Sequence, residues 1–141
     1  MVKKKTSSKK ASLDKQKRGY KAAVTGQTFE KKIGEFLSSR GYRISYEKLV
    51  GRARFDVFGK RKEDWEREEY CIAECKDRNR VTSADVMRFM SKLRTFYARL
   101  PVDFDGDKPY VQGLFAYTGE VSADARNAAK GFKPSIKFKK F

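Results

Sequence analysis

The sequence predicts a three-layer α/β domain, in which helices cover both faces of a central mixed sheet. Strand-like runs alternate with amphipathic helices from Thr25 onward, and the longest helical pattern needs a sheet to pack on. The length of 141 residues fits one domain. Hydrophobic residues make up 39% of the chain, which is enough for a core, since a domain of this size buries about two-thirds of its unfolded surface.

Residues 1–21 differ sharply in composition from the rest of the chain. They hold nine Lys and Arg residues against the single acid Asp14, so they carry +8 of the formal net charge of +16. A segment with so little to bury is expected to be a disordered basic arm that precedes the domain at residues 22–141. Lys3, Lys4 and Lys5 are expected to contact phosphates, and the alternative is a terminus that only raises solubility.

The first half of the domain is predicted to contain one helix and three strands. Apolar residues recur at helical spacing from Phe29 to Leu37, and Gly41 can end this helix. Loose alternation over Tyr42–Val50 predicts a first strand, and Gly51 separates it from a second strand at Arg52–Phe58. A charged connector at residues 59–69 then leads to a third strand at Tyr70–Lys76.

A second helix follows, which Thr82 or Ser83 can cap, with Asp85 in its first turn. Its apolar stripe runs to Leu100, and the apolar run Val111–Tyr117 then fits a buried fourth strand.

The chain ends with a short helix and a strand. Ser122 can cap this helix and Gly131 can end it, and Ile136 and Phe138 alternate with lysines in the last strand.

Two residue types limit the possible chemistry. The chain has no histidine, which excludes Ser-His-Asp and Cys-His catalysis, Cys2His2 zinc fingers and His-ligated zinc. Its two cysteines, Cys71 and Cys75, are four apart in a predicted strand, which separates them by about 13 Å, too far for a disulfide. Hydrolysis would therefore depend on carboxylates, lysine, hydroxyls or a metal held by oxygen.

Charge and hydropathy indicate a nucleic-acid partner. No apolar run reaches 18 residues and no signal peptide follows the basic N-terminus, so we expect a soluble cytoplasmic protein with no membrane association. A nucleoid-associated protein, or one encoded by a virus or plasmid, fits this expectation. A pI near 9.9 favours a polyanionic partner such as nucleic acid, and an anionic membrane surface would fit the charge alone equally well.

Acids interrupt two of the predicted strands. In the third strand, Glu74 and Lys76 share one face by the two-residue alternation of side chains, and Asp56 interrupts the second strand. If the two strands form a hairpin, Asp56 and Glu74 come side by side. Two such carboxylates would bind a hard divalent cation, most simply Mg²⁺ with Mn²⁺ as a substitute, and Lys76 would act on the attacking water or the phosphate. The structural alternatives are a Glu74–Lys76 ion pair and a pair between Asp56 and Arg54.

These residues resemble the PD-(D/E)XK superfamily, the restriction-endonuclease-like nucleases. Asp56, followed after 17 residues by Glu74-Cys75-Lys76, matches the Asp…Glu-x-Lys core of that superfamily. Gly26–Glu30 resembles the start of the first helix in Mrr-like restriction endonucleases and archaeal Holliday-junction resolvases, and Leu114–Gly119 resembles the Mrr-type ending. Phe55 stands where the superfamily name has Pro. Glu74 stands where Mrr-like enzymes often have Gln, which makes the resolvase-like branch comparably plausible.

The resemblance implies an α-β-β-β-α-β core and Mg²⁺-dependent hydrolysis of DNA. It implies that Asp56, Glu74 and the backbone carbonyl of Cys75 bind the metal, that Lys76 is the catalytic lysine, and that Glu30 is an accessory acid. For Glu30, the alternative is an ordinary solvent-side acid.

The expected partner is double-stranded or branched DNA, cut by a homodimer that pairs through the long helix or the final strand. We expect Arg54, Arg78 and Arg80 to reach its phosphates, while a solvated turn is the alternative for Arg78 and Arg80.

Two further functions compete with a nuclease. One is a DNA-binding module with a nuclease-like fold and no cleavage, and the other is a basic RNA-binding protein of ribosomal type. Acids at interior strand positions argue against a pure polyanion binder, because carboxylates that face phosphates weaken binding.

Overall fold

The computed structural model describes residues 27–62 and 67–141. The predicted basic arm, with Lys3, Lys4 and Lys5, lies outside the described residues. Helices and strands follow in this order: α1 (27–39), β1 (Arg43–Val50), β2 (Ala53–Arg61), β3 (Glu69–Lys76), β4 (Arg80–Val81), α2 (Ser83–Arg99), β5 (Tyr110–Tyr117), β6 (Glu120–Val121), α3 (Ala123–Ala128) and β7 (Ile136–Lys140).

Five strands form the central mixed sheet in the order β1-β2-β3-β5-β7. The first two pairings, β1 with β2 and β2 with β3, are antiparallel, whereas β3 with β5 and β5 with β7 are parallel. Parallel neighbours need a crossover connection, and α2 provides the one between β3 and β5. The element order therefore confirms the predicted α/β fold.

A hydrophobic core lies on each face of the sheet. On one face, Phe89 and Leu93 of α2 and Ala125 of α3 pack with strand residues such as Phe115. On the other face, α1 packs with a second set of strand residues, and the α1 side chains in that core are Phe29, Ile33 and Leu37. Helices thus cover both faces, which confirms the predicted three layers.

Strand β2 is longer than the sequence predicted. It continues through Gly59 to Arg61, and Gly59 pairs with Ile44 on one side and with Cys71 on the other. A Cβ atom at position 59 would lie 3.1 Å from the Cβ atom of Tyr42 and 3.1 Å from the Cys71 carbonyl oxygen. This glycine permits close packing inside the sheet, where the sequence suggested that a connector begins.

The small sheet of β4 and β6 was not predicted. The N–H of Glu120 donates to the carbonyl of Asn79 at 2.9 Å, and a Cβ atom at position 119 would collide with the carbonyls of Arg78 and Asn79. The close approach of the two segments therefore requires Gly119. Strands of two residues are too short to show a periodic pattern.

Helix α2 begins with a capping box. The Thr82 hydroxyl accepts from the N–H of Asp85 at 3.3 Å, and the Asp85 carboxylate accepts from the N–H of Thr82 at 3.0 Å. Asp85 is only 2% exposed and pairs with Arg78 at 3.1 Å and with Arg88 at 2.7 Å. This cluster fixes the start of the helix that follows β4.

Within residues 27–62 and 67–141, no helix has the length and apolar character that crossing a membrane requires.

Candidate active site

Glu74 lies near the C-terminal end of β3, on the face that α2 covers. The neighbouring Ile72 belongs to the core on this face, while Cys71 and Ala73 belong to the core under α1, as the predicted alternation requires. Glu74 is only 7% exposed. A carboxylate at this depth needs cationic or hydrogen-bonding partners to offset its lost hydration.

Two lysines supply those partners. The Lys76 ammonium lies 3.3 Å from Glu74 Oε2, so the predicted residues of the third strand do share a face. The Lys92 ammonium, which extends from α2, lies 3.0 Å from Glu74 Oε1 and donates to the carbonyl of Arg54 at 2.9 Å. Lys92 was not predicted as a site residue, because a lysine on the polar face of an amphipathic helix is usual and only the tertiary fold brings it to Glu74.

Asp56 reaches the same end of β3 from the neighbouring strand. Its Oδ2 accepts a hydrogen bond of 2.8 Å from the backbone N–H of Cys75. Asp56 and Glu74 line one cleft of about 520 Å³, together with Lys92 and residues at the start of β2. The structure therefore brings together the two carboxylates that the sequence singled out.

Strand β2 departs from regular pairing at Asp56. Pairing with β1 joins Val57 to Tyr46 and Phe55 to Lys48 but skips Asp56, and pairing with β3 begins only at Val57. In a regular strand, side chains three residues apart point to opposite faces of the sheet. Phe55 and Phe58 nevertheless both contact Phe96 of α2, so the alternation of side chains shifts by one residue between them. Such irregularities re-aim side chains, and here Asp56 points to the end of β3.

Glu47 lies opposite Asp56 on β1 and was also missed. Its φ of 47° is in the left-handed region, which is uncommon for a residue other than glycine. Its carboxylate lies 3.5 Å from the Arg54 guanidinium. This conformation could not be predicted, because in the sequence Glu47 is an ordinary polar residue of an alternating strand.

Glu30 joins the acids from α1. It shares a side-chain hydrogen bond with Glu47, and burial, together with the charges of Asp56 and Glu47, raises the pKa of Glu30 to about 7. Burial, then the charge of Glu74, also raises the pKa of Asp56, against the opposing effects of the Cys75 N–H and the two lysines. Neighbouring acids with raised pKa values are typical of functional sites.

The thiol of Cys75 lies beside these acids. Its pKa is raised well above the usual range by burial, and then by the negative charges of Asp56, Glu30 and Glu74. Burial likewise raises the pKa of the Cys71 thiol to about 11. Both cysteines are free, as predicted.

The three arginines predicted to contact DNA have different surroundings. Arg54 lines the cleft and pairs with Glu47, and Arg80 is exposed in β4. Arg78 lies at the start of α2, where its ion pair with Asp85 gives it a structural role.

The donor atoms in the cleft fit a hard divalent cation. Asp56 and Glu74 offer carboxylate oxygens, and Mg²⁺ typically takes one or two carboxylates, with waters and substrate phosphates completing its shell. In the part of the chain that the structure describes, no group of three or more acidic or cysteine side chains converges as a metal cage. The pair of carboxylates thus suits a metal that shares its coordination with the substrate.

Comparison with known proteins places the chain beside nucleases. A family model described as restriction endonuclease, of the Mrr catalytic type, matches residues 21–139. No curated protein matches the chain significantly. A solved structure titled as the protein of unknown function AF1548 is 19% identical, with a TM-score of 0.54, covering 77% of this chain and 54% of that one.

Two further solved structures have lower TM-scores. A repair endonuclease from Pyrococcus abyssi is 18% identical with a TM-score of 0.45, over 71% of this chain and 38% of that one. A complex of EndoMS with double-stranded DNA is 19% identical with a TM-score of 0.44, over 70% of this chain and 36% of that one. The chain thus spans about half or less of the length of each.

Proposed function

Because the chain belongs to the Mrr-like restriction endonuclease family, within the restriction-endonuclease-like fold, we propose that it is a divalent-metal-dependent DNA endonuclease. The reaction is hydrolysis of a phosphodiester bond in duplex or branched DNA, either as a restriction-like enzyme or at a junction. The observation that carries the proposal is that Asp56 and Glu74 line one cleft, with the Lys76 ammonium 3.3 Å from Glu74 Oε2.

Each residue has a role that follows from its chemistry. Asp56 and Glu74 would hold Mg²⁺ or Mn²⁺, with the Cys75 carbonyl as the third protein ligand that the family resemblance implies. The metal would supply Lewis-acid activation of the phosphate and of a water. Lys76 places a cation beside Glu74, where it can stabilise negative charge on the phosphate.

Glu30 extends from α1, and the charge of the proposed metal ligand Asp56 acts on its carboxyl group. Its pKa of about 7 allows it to hold or release a proton near neutral pH. We propose that it is an accessory acid, which adjusts the protonation of the cleft without holding the metal alone.

The net charge of +16 supports DNA as the partner, because Lys and Arg side chains gain affinity by releasing the counterions of phosphates. Arg54 lines the cleft and Arg80 is exposed, so both can contact the backbone that flanks the cleaved bond. The lysines of residues 1–21 would add contacts that do not depend on sequence.

We also propose a homodimer, because cutting both strands of a duplex is simplest with two sites related by two-fold symmetry. Strand β7 is an edge strand whose Lys137, Lys139 and Lys140 oppose edge-to-edge pairing. Helix α2 is the better candidate surface, although α3 packs against part of it. Light scattering should then give twice the chain mass of 16.3 kDa.

The test is incubation of the protein with linear duplex, supercoiled plasmid and a four-way junction, in Mg²⁺, in Mn²⁺ and in EDTA. Wild type should cut at least one substrate with either metal and none in EDTA. Glu74→Gln and Lys76→Met should be inactive, while Glu120→Gln, an exposed acid in β6, should cut like wild type. Absence of cleavage by wild type, or full activity of Glu74→Gln, would contradict the proposal.

A further inference from the structure

Among the described residues, Lys92 is the lysine that lines the cleft, and it lies outside the Glu-x-Lys motif. Its contacts are specific. Its ammonium lies 3.0 Å from Glu74 Oε1 and donates to the Arg54 carbonyl at 2.9 Å. The Lys92 side chain is 28% exposed, so it lies between the buried carboxylate and the open cleft. It is also 5.7 Å from the centre of the Phe55 ring, which borders the stem of the side chain.

The position of Lys92 conflicts with metal binding at Glu74. Lys76 occupies Oε2 of that carboxylate and Lys92 occupies Oε1, so both oxygens of the proposed ligand already contact cations. A divalent cation that binds Glu74 therefore competes with these two ammonium groups for the same carboxylate charge. Lys92 is the easier to displace, because it extends from another element on a flexible four-carbon stem and has more exposed surface than the 20% of Lys76.

A displaced Lys92 ammonium would remain in the cleft. It lies on α2 beside Ser91 and Thr95, and these three residues form the α2 wall of the cavity that contains Asp56 and Glu74. An ammonium that leaves a carboxylate needs another anion, and the anion a DNA substrate brings to this cleft is a phosphate.

We propose that Lys92 is a second lysine of the site, which holds Glu74 in the metal-free protein and moves to a substrate phosphate when a divalent cation takes that carboxylate. This inference rests on the proposed function, since it names how one residue of that site exchanges partners. Lys92 thereby keeps Glu74 compensated before the metal arrives, and it contributes a phosphate contact afterwards.

The test measures binding rather than cleavage. Mn²⁺ affinity is measured by calorimetry without DNA for wild type, Lys92→Met, Lys92→Gln and Lys92→Arg. Arg94→Met is the control, because it removes one positive charge from an exposed position of the same helix. DNA affinity is measured in Ca²⁺ with a short duplex, and circular dichroism establishes that each variant is folded.

Removal of the competing ammonium should tighten Mn²⁺ binding by about tenfold in Lys92→Met and Lys92→Gln. The same variants should lose about tenfold in DNA affinity, because one charge-assisted phosphate contact is gone. Lys92→Arg should resemble wild type in both measurements, and Arg94→Met should leave Mn²⁺ affinity unchanged and weaken DNA binding less.

A purely structural Lys92 gives a different result. Mn²⁺ would then bind Lys92→Met and Lys92→Gln no more tightly than wild type, or DNA affinity would fall no more than in Arg94→Met, and either result overturns the proposal. A wild-type protein that binds Mn²⁺ and DNA but cuts no substrate would instead contradict the nuclease function, while these binding differences would still support the exchange at Lys92.

Discussion

The backbone N–H of Cys75 donates a hydrogen bond of 2.8 Å to Oδ2 of Asp56. This bond joins β2 to β3 just beyond the point where regular pairing between the two strands begins, at Val57 with Ala73. A side chain thus takes the place of a backbone carbonyl in satisfying a strand N–H. Asp56 therefore has a structural role in addition to its proposed role as a metal ligand.

Asp56→Asn and Asp56→Ala separate these two roles. Asn keeps a carbonyl oxygen that can accept from Cys75, whereas Ala leaves that N–H unpaired, so the Ala variant should be less stable than Asn by about 1–2 kcal/mol. Both lack the carboxylate charge and should lose more than about 100-fold in cleavage rate. Urea unfolding and a plasmid-nicking assay measure the two effects, and equal stability of the variants would argue against the structural role.

Glu30→Gln tests the raised pKa of Glu30. The folded protein holds this proton up to pH about 7, whereas the unfolded chain releases it near 4.5, so the free energy of unfolding should decrease as pH rises between these values. Gln cannot ionise. In metal-free buffer, the variant should therefore gain stability relative to wild type as pH rises from 5 to 8. Urea unfolding at both pH values measures the difference, and a constant difference would place the Glu30 pKa near its ordinary value.

Asp85→Ala should lower stability by about 2–4 kcal/mol, because it removes the capping box of α2 and leaves Arg78 and Arg88 without their buried partner. Asp124→Ala, in the first turn of α3, is the control and should cost much less.

Burial opposes ionisation of Asp85, but the Thr82 backbone N–H and Arg78 outweigh it and lower its pKa. Its contribution is thus present above the unfolded pKa and is lost as pH falls through the folded pKa, which thermal unfolding at pH 7 and pH 3 measures.

Deletion of residues 1–21 should weaken binding to every duplex by a similar factor. Nine cations are removed, and each that contacts a phosphate contributes about 0.9 to the slope of log K against log salt. Titrations of several duplexes between low and moderate salt measure the slope for the full and shortened chains. An unchanged slope would show that the arm makes no phosphate contacts.

The sequence predicted the order of the main elements because each has a local pattern. The apolar stripe of α2, and the alternation of Ile72 and Glu74 with Cys71 and Ala73 in β3, depend only on neighbouring residues. The acids of the site were found for the same reason, since Asp56 and Glu74 interrupt apolar runs. Their roles in metal binding and catalysis remain predictions.

The features that could not be predicted from the sequence depend on contacts between distant segments. In the sequence, Lys92 resembles any solvent-facing lysine. Its partner Glu74 is 18 positions away along the chain, and only the fold brings the two side chains together. The left-handed conformation of Glu47 reflects the interrupted pairing at Asp56, which no propensity of Glu predicts. The pairing of β4 with β6 depends on the approach of Gly119 to Asn79, which is likewise invisible in local periodicity.

The environment of the two thiols has a consequence for the durability of the protein. Alkylating agents and peroxide react with the thiolate, and burial raises the pKa of both Cys71 and Cys75, so both stay protonated at neutral pH. For Cys75 the neighbouring carboxylates raise the pKa further. The Cys75 sulfur, which packs against the core under α1, therefore resists oxidation to sulfenic acid although it is influenced by the acids of the site. A fluorescent or spin label attached through an introduced cysteine, for example Phe104→Cys in the exposed loop before β5, would react there in preference to the native positions.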